Sequence, residues 1–239
     1  MSGPATSGSD RSGIDAGSPE APRASERVGA AYRREALIAA QAKTWQAVDE
    51  IGRRVRPGTR ESEAKVIAHE VLVELDHDRR WHPNIVRVGA NTRLMWKEPS
   101  PDDPALGEND LFFVDLGPVF GGHEGDAGTT FVVGDDAEMH ACADACRTLW
   151  DRVAAAWREL RPSGRELYAF AQREAEAMGW VFNHHVKGHR VGDFPHAIHK
   201  TPTLGAVGHV PGDGLWILEI QIRHPSKPFG AFHEDLLAG

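Results

Sequence analysis

"LFFVDLGPVFGGHEGDAGTTFVVG", Leu111–Gly134, has the apolar residues of two core strands, and it sets Asp115 and Asp126 among them. Gly121-Gly122 reads as the turn of a hairpin between the two halves. Successive strand residues point to opposite faces, and positions opposite each other in a hairpin share a face. A hairpin centred near Phe120-Gly121 puts Asp115 opposite Asp126. Two opposed carboxylates in a dry setting cannot both ionise uncompensated. Either one keeps a proton, or a cation lies between them, or one Asp sits outside the sheet in the turn.

Further carboxylates lie toward the C-terminus. "LWILEIQI", Leu215–Ile222, buries Glu219 in an apolar run, and "GAFHEDLLAG", Gly230–Gly239, holds Glu234 and Asp235 between Phe232 and Leu236. A lone ionised Glu in such a run needs a partner. Between these and the hairpin stands "HHVKGHRVGDFPHAIH", in which five of the chain's 13 histidines fall (His184, His185, His189, His196 and His199).

Working outward, Leu37, Ala40, Thr44, Val48 and Ile51 recur at helical spacing, so a helix is expected over about Val28–Arg56, ended by Pro57-Gly58. Thr59 is the expected N-cap of a second helix carrying Ala64, Ile67, Ala68, Val71 and Leu72. "WHPNIVRVGAN", Trp81–Asn91, reads as a strand ending in a turn, and Asn91–Gly107 as a proline-punctuated loop. A third helix is expected over about Asp136–Leu160. A fourth runs to about Met178, opened by a Ser163/Glu166 capping box. Helix pairs alternating with strands predict an α+β fold, with the helices on one face of a mostly antiparallel sheet. Residues 1–27, rich in Gly, Ser, Pro and Ala, are expected to be a disordered tail, and residues 28–239 one catalytic domain.

The 239 residues carry a formal net charge of -8, which argues against a nucleic-acid partner. No apolar run approaches the roughly 20 residues that span a bilayer, and no signal peptide opens the chain. Only Cys142 and Cys146 are present, at helical i,i+4 spacing, so they are expected to be core residues in a cytoplasmic protein.

The order Asp115, Asp126, Gly188-His189, His196, Glu219, Glu234 resembles the pita-bread metallopeptidases: methionine aminopeptidases, Xaa-Pro aminopeptidases, prolidases and creatinase. The resemblance covers about residues 30–239. It implies a curved, mostly antiparallel sheet covered by two pairs of helices. It also implies two divalent ions, from Mn, Co, Fe or Zn with Mn favoured, held by Asp115, Asp126, His189, Glu219 and Glu234. Asp126 and Glu234 would bridge both ions. Four carboxylates balance the charge of two divalent ions, and such ligands suit these metals. A metal-bridging hydroxide would attack a peptide carbonyl, with Glu219 as proton carrier and His196 on the carbonyl side. The resemblance also makes His185 a catalytic candidate, since it matches a histidine typical of the Xaa-Pro aminopeptidase and prolidase branch, and a catalytic domain without that branch's N-terminal domain is expected.

Three positions depart from the family pattern. Trp96, in "NTRLMW", stands where relatives carry a substrate-contacting histidine. Phe232 replaces an arginine common in prolidases, and Gly128 a threonine. An indole donates one hydrogen bond and stacks, but it exchanges no protons. Trp96, His196 and Phe232 are thus the expected substrate contacts. The expected substrate is a small peptide or a small amide, with a homodimer left open. Two further readings remain: a creatinase-like hydrolase of a non-peptide C–N bond, and a catalytically silent binding module.

Overall fold

The computed structural model describes residues 23–195 and 202–239. Helix α1 (Arg34–Arg54) starts six residues later than its apolar spacing suggests. The preceding backbone is bonded elsewhere: the Gly29 N–H donates to Asp193 (2.7 Å) and the Arg33 N–H to His123 Nε2 (3.0 Å). Helix α2 (Glu61–Glu74) is capped at Arg60, not at Thr59, whose hydroxyl instead accepts from the Arg56 N–H (3.2 Å). Helix α3 (Ala137–Leu160) is capped by the Asp136 carboxylate, and α4 (Gly164–Ala177) by the Ser163/Glu166 box. Residues 23–27 are not all tail: Ala24–Glu26 form a 3-10 turn, and the Glu26 carboxylate accepts from Trp216 Nε1 (2.9 Å).

The main sheet is antiparallel throughout its described pairs. Its strands are β2 (Ile85–Val88), β3 (Asp110–Leu116), β6 (Ala127–Val133), β7 (Val181–Phe182), β8 (His189–Arg190), β9 (Trp216–Arg223) and β10 (Gly230–Leu236). Their order is β2-β3-β6-β10-β9-β7, with β8 also on β9. A small sheet joins β1 (Arg79–Arg80), β4 (Pro118–Phe120) and β5 (His123–Glu124) in the order β1-β4-β5.

Alternation sorts these strands into two faces. Phe112, Val114 and Leu116 face the α1/α2 pair, and Leu218, Ile220, Ile222 and Ala231 face the α3/α4 pair. Cys142 and Cys146 lie in the second of these clusters, as small core residues. Each buried Leu, Ile or Phe contributes about 1.5–3 kcal/mol, and this covered face offsets the cost of charge on the other. The uncovered face carries Phe113, Asp115, Gly128, Glu219, Gln221, Phe232 and Glu234.

One expectation needs correcting. Asp115 pairs with Gly128, not with Asp126. The hairpin turns at Gly121-Gly122, where both residues have positive φ (54° and 74°). That is the two-residue turn whose twist matches its strands, and it moves the register by two. A shift of two preserves the face. Asp126, just before β6, therefore still lies on the side of Asp115, diagonally rather than directly across.

Candidate metal centre

Strand register draws four positions into one row: Asp115 pairs with Gly128, Gly128 with Glu234, and Glu234 with Glu219. Three of the four are carboxylates on one face of β3, β10 and β9, with a glycine between the first two. Gly128 is the only side-chain-free position in that row, and the reason is steric. A Cβ there would lie 2.5 Å from the Val114 carbonyl oxygen, 2.8 Å from the Phe232 ring and 2.9 Å from Glu234 Oε1. The two departures at positions 128 and 232 are therefore one packing arrangement. Phe232 occupies the room that a side chain at 128 would need.

Asp126 enters the row's edge, presented by α1. The Gln41 side chain donates to the Asp126 carbonyl (2.6 Å) and accepts from the Asp126 N–H (2.9 Å), and it also donates to Asp235 (2.7 Å). Glu219 is held in a similar way from α4. Its carbonyl accepts from the Tyr168 hydroxyl (2.9 Å), and its carboxylate accepts from the Gly188 N–H (2.9 Å). His189 Nε2 stands 2.7 Å from Asp126 Oδ2 and 3.7 Å from Glu219 Oε1. Thus Asp115, Asp126, His189, Glu219 and Glu234 converge. Asp126, His189 and Glu234 each offer a donor atom to one metal-sized group, and His82, Asp115 and Asp126 form another.

His82 is the member the sequence reading missed. It lies 33 positions before Asp115, outside the spacing of the five-residue pattern, and its "WHP" context reads as the start of a strand. The small sheet brings it in. β1 pairs with β4, and the Trp81 N–H donates to the Gly117 carbonyl (2.9 Å), which sets the next residue over Asp115. Trp81 packs edge-on against both His82 (4.4 Å between ring centroids) and His189 (5.0 Å).

The electrostatics show a site built for cations. Burial pushes Asp115 up to about 7, and burial likewise raises Glu219 and lifts Glu234 well above the usual carboxylate range. Burial also opposes the charge on Asp126, but the two facing imidazoles, His189 first and then His82, together outweigh it and hold that carboxyl low. Burial would neutralise the two imidazoles. The facing carboxylates prevail, Asp115 foremost for His82 and Asp126 for His189, taking them to about 9 and about 10. Both carboxylate oxygens of Asp126, and Oε1 of Glu234, are buried without a well-formed hydrogen bond. Such orphaned oxygens are costly unless a cation meets them. The residues present fit a metal centre.

Beside the centre opens a cleft of about 500 Å³. Ile85, Phe113 and Phe232 form an apolar cluster, joined by Val186, on one wall. Trp96 lies at the mouth, 56% exposed, with Lys97 Nζ 4.6 Å over its ring. His185 is exposed at the same cleft. His196 lies outside the described residues.

The model of metallopeptidase family M24 matches residues 35–237. The chain belongs to this family. The M24 chain is similar in fold to the methionine aminopeptidase of Thermotoga maritima, with a TM-score of 0.71 and 18% identity over 89% of this chain and 96% of that one. It also resembles the X-Pro aminopeptidase of the same organism (TM-score 0.69, 18% identity, 84% of this chain and 56% of that one). A third likeness is to the prolidase of Pyrococcus furiosus (TM-score 0.68, 19% identity, 84% and 59%). No curated protein sequence matches the chain. The pita-bread fold is common to all of these. No helix among the described residues is long and apolar enough to cross a membrane.

Proposed function

We propose that this M24 chain is a two-metal hydrolase of small peptides, an aminopeptidase or dipeptidase of the Xaa-Pro type. The observation that carries the reading is the set of buried, orphaned oxygens on Asp126 and Glu234, set among Asp115, Glu219 and His189. In this reading Asp115, Asp126, His189, Glu219 and Glu234 would together hold the two ions. Two bound divalent ions supply an activated water and a Lewis acid for the scissile carbonyl.

The chain's own residues do the rest. Glu219 would carry a proton on its carboxylate between water and the leaving nitrogen, its backbone carbonyl fixed by the Tyr168 hydroxyl. The apolar wall of Ile85, Phe113 and Phe232 receives an uncharged side chain such as proline and excludes water from it. Trp96 contacts the substrate at the mouth, and His185 and His196 are proposed as catalytic histidines, His196 on the carbonyl side. Mn is the favoured metal for the carboxylate-rich set. With two free buried cysteines, the proposed compartment is the reducing cytoplasm.

The test is metal content together with turnover. Protein purified without chelator is expected to hold two transition ions per chain and to cleave Xaa-Pro or Xaa-Ala peptides in preference to guanidino and amide compounds. Asp126→Ala is expected to lose metal and turnover together. Full activity in that variant, or a wild type that takes up no metal when supplied with Mn or Co, contradicts the proposal.

A further inference from the structure

We infer that His82 is a sixth protein ligand of this centre, coordinating through Nε2 the ion held by Asp115, so that each half of the centre has one imidazole. The inference rests on the metal-centre reading above and extends it to a residue outside the family's five-ligand pattern.

Distance is the first argument. His82 Nε2 lies 3.4 Å from Asp115 Oδ1 and 3.5 Å from Asp126 Oδ1. Both separations exceed the roughly 2.7–3.2 Å of a good N–H···O hydrogen bond. They match the spacing of neighbouring donor atoms around a shared ion. Bonds of about 2.0–2.2 Å put adjacent ligand atoms about 3.0–3.5 Å apart, whether the shell is octahedral or tetrahedral.

The second argument is the direction of the lone pair. His82 Nδ1 is 2.7 Å from the Pro83 carbonyl oxygen, which only accepts, so Nδ1 carries the hydrogen. Nε2 is therefore the ring nitrogen that faces the two carboxylate oxygens, and once it gives up its proton its lone pair is aimed where an ion shared with them would lie. His189 is built the same way, with Nδ1 3.0 Å from the Arg190 carbonyl and Nε2 toward Asp126. A ring nitrogen bonded to a backbone carbonyl is the usual way a metal-ligating histidine is oriented. Asp126 divides its oxygens between the two rings, Oδ1 toward His82 and Oδ2 toward His189.

The third argument is that the ring's place is made for it. A Cβ at Gly117 would overlap His82 at Cδ2 and Nε2, and would also reach Trp81 Nε1 at 2.7 Å. The His82 side chain is only 12% exposed, and Trp81 braces it edge-on. The imidazole is therefore fixed before any ion arrives.

The experiment is metal titration and pulsed EPR of the Mn(II)-loaded full chain carrying ¹⁵N-histidine, comparing wild type with His82→Phe and Gly117→Ala. Circular dichroism checks that each variant is folded. Wild type is expected to bind two ions and to show two imidazole nitrogen couplings. His82→Phe is expected to keep one coupling and to bind one of the two ions at least about 10-fold more weakly. Gly117→Ala, which keeps the imidazole but crowds it, is expected to weaken the same ion. If His82→Phe fails to fold, Gly117→Ala carries the test alone. Two ions with a single nitrogen coupling in wild type, or unchanged binding in a folded variant, would overturn the ligand role and leave the metal centre standing. A wild type that binds no metal overturns both.

Discussion

The two ends of the cleft are made of opposite materials. The metal end is four carboxylates and two imidazoles fixed by strand register and by helix side chains from both pairs. The mouth is Trp96, Lys97 and His185 on loops, with few partners and high exposure. At the first end every side chain is committed to its neighbours, so a single change propagates. At the second a residue can be exchanged with little effect on its surroundings. The proposed chemistry thus rests on the sheet, and the proposed substrate contact at Trp96 on a position whose exchange disturbs little around it.

This contrast can be broken most forcefully by removing metal. The centre packs four carboxylates, three of them with raised pKa values, and bound ions are expected to replace the protons that offset their charge in the metal-free chain. At free metal about 100-fold above Kd, each site contributes about 2.7 kcal/mol. Chelation is expected to lower the melting temperature by about 5–10 °C per site in a chain of this size. Scanning calorimetry with and without EDTA decides it, and equal midpoints would contradict a shared centre.

Proton release is the next largest effect. In the metal-free chain at pH 7, His82 and His189 (about 9 and about 10) hold protons, and Asp115 (about 7) holds one half the time. Ligands must be deprotonated, so metal uptake releases these protons and affinity rises with pH between about 6 and 9. Each proton displaced is expected to change affinity about 10-fold per pH unit. Calorimetry in buffers of different ionisation enthalpy counts them, and zero release would show that the cluster is not where the ions bind. The sign for the metal-free fold is the reverse. Both imidazoles gain a proton on folding, so their contribution is full below about pH 6.5 and is lost as pH rises through about 9 to 10.

Gly128→Ala sharpens the comparison from inside the row. The added methyl has no room between Val114, Phe232 and Glu234. It is expected to cost about 1–3 kcal/mol in urea unfolding and to weaken metal binding. Adding Phe232→Ala should recover part of both losses, because the ring and the methyl compete for one space. At the mouth, Trp96→Ala is expected to move stability by less than about 0.5 kcal/mol and leave metal content unchanged, while raising KM for peptides. A loss of metal in that variant would erase the distinction between the two ends.

Much of the metal end was legible, by two routes. Period two along a hairpin put Asp115 and Asp126 on one face, and the resemblance carried by the order of motifs along the chain implied His189, Glu219 and Glu234 beside them. The Ser163/Glu166 box marked the start of the fourth helix, since a side-chain acceptor at an N-terminus is a local signal. The register was misjudged by two because both Gly121 and Gly122 take positive φ, which sets the turn one residue later than Phe120-Gly121. His82 and Gln41 were not legible. Each reaches the centre through a tertiary path, across the small sheet or down from α1, that no local period records. The pairing of Gly128 with Phe232 was visible only as two unrelated departures until β6 and β10 were seen side by side.

Gln41 has a consequence for how the molecule matures. It fixes Asp126 from 85 positions away, and Tyr168 fixes Glu219 from 51 away on the opposite helix pair. Contacts of such separation form late, after the loops between them have closed. A nascent or partly assembled chain therefore lacks a competent ion trap. Ion binding is thus expected only once both helix pairs have docked on the sheet.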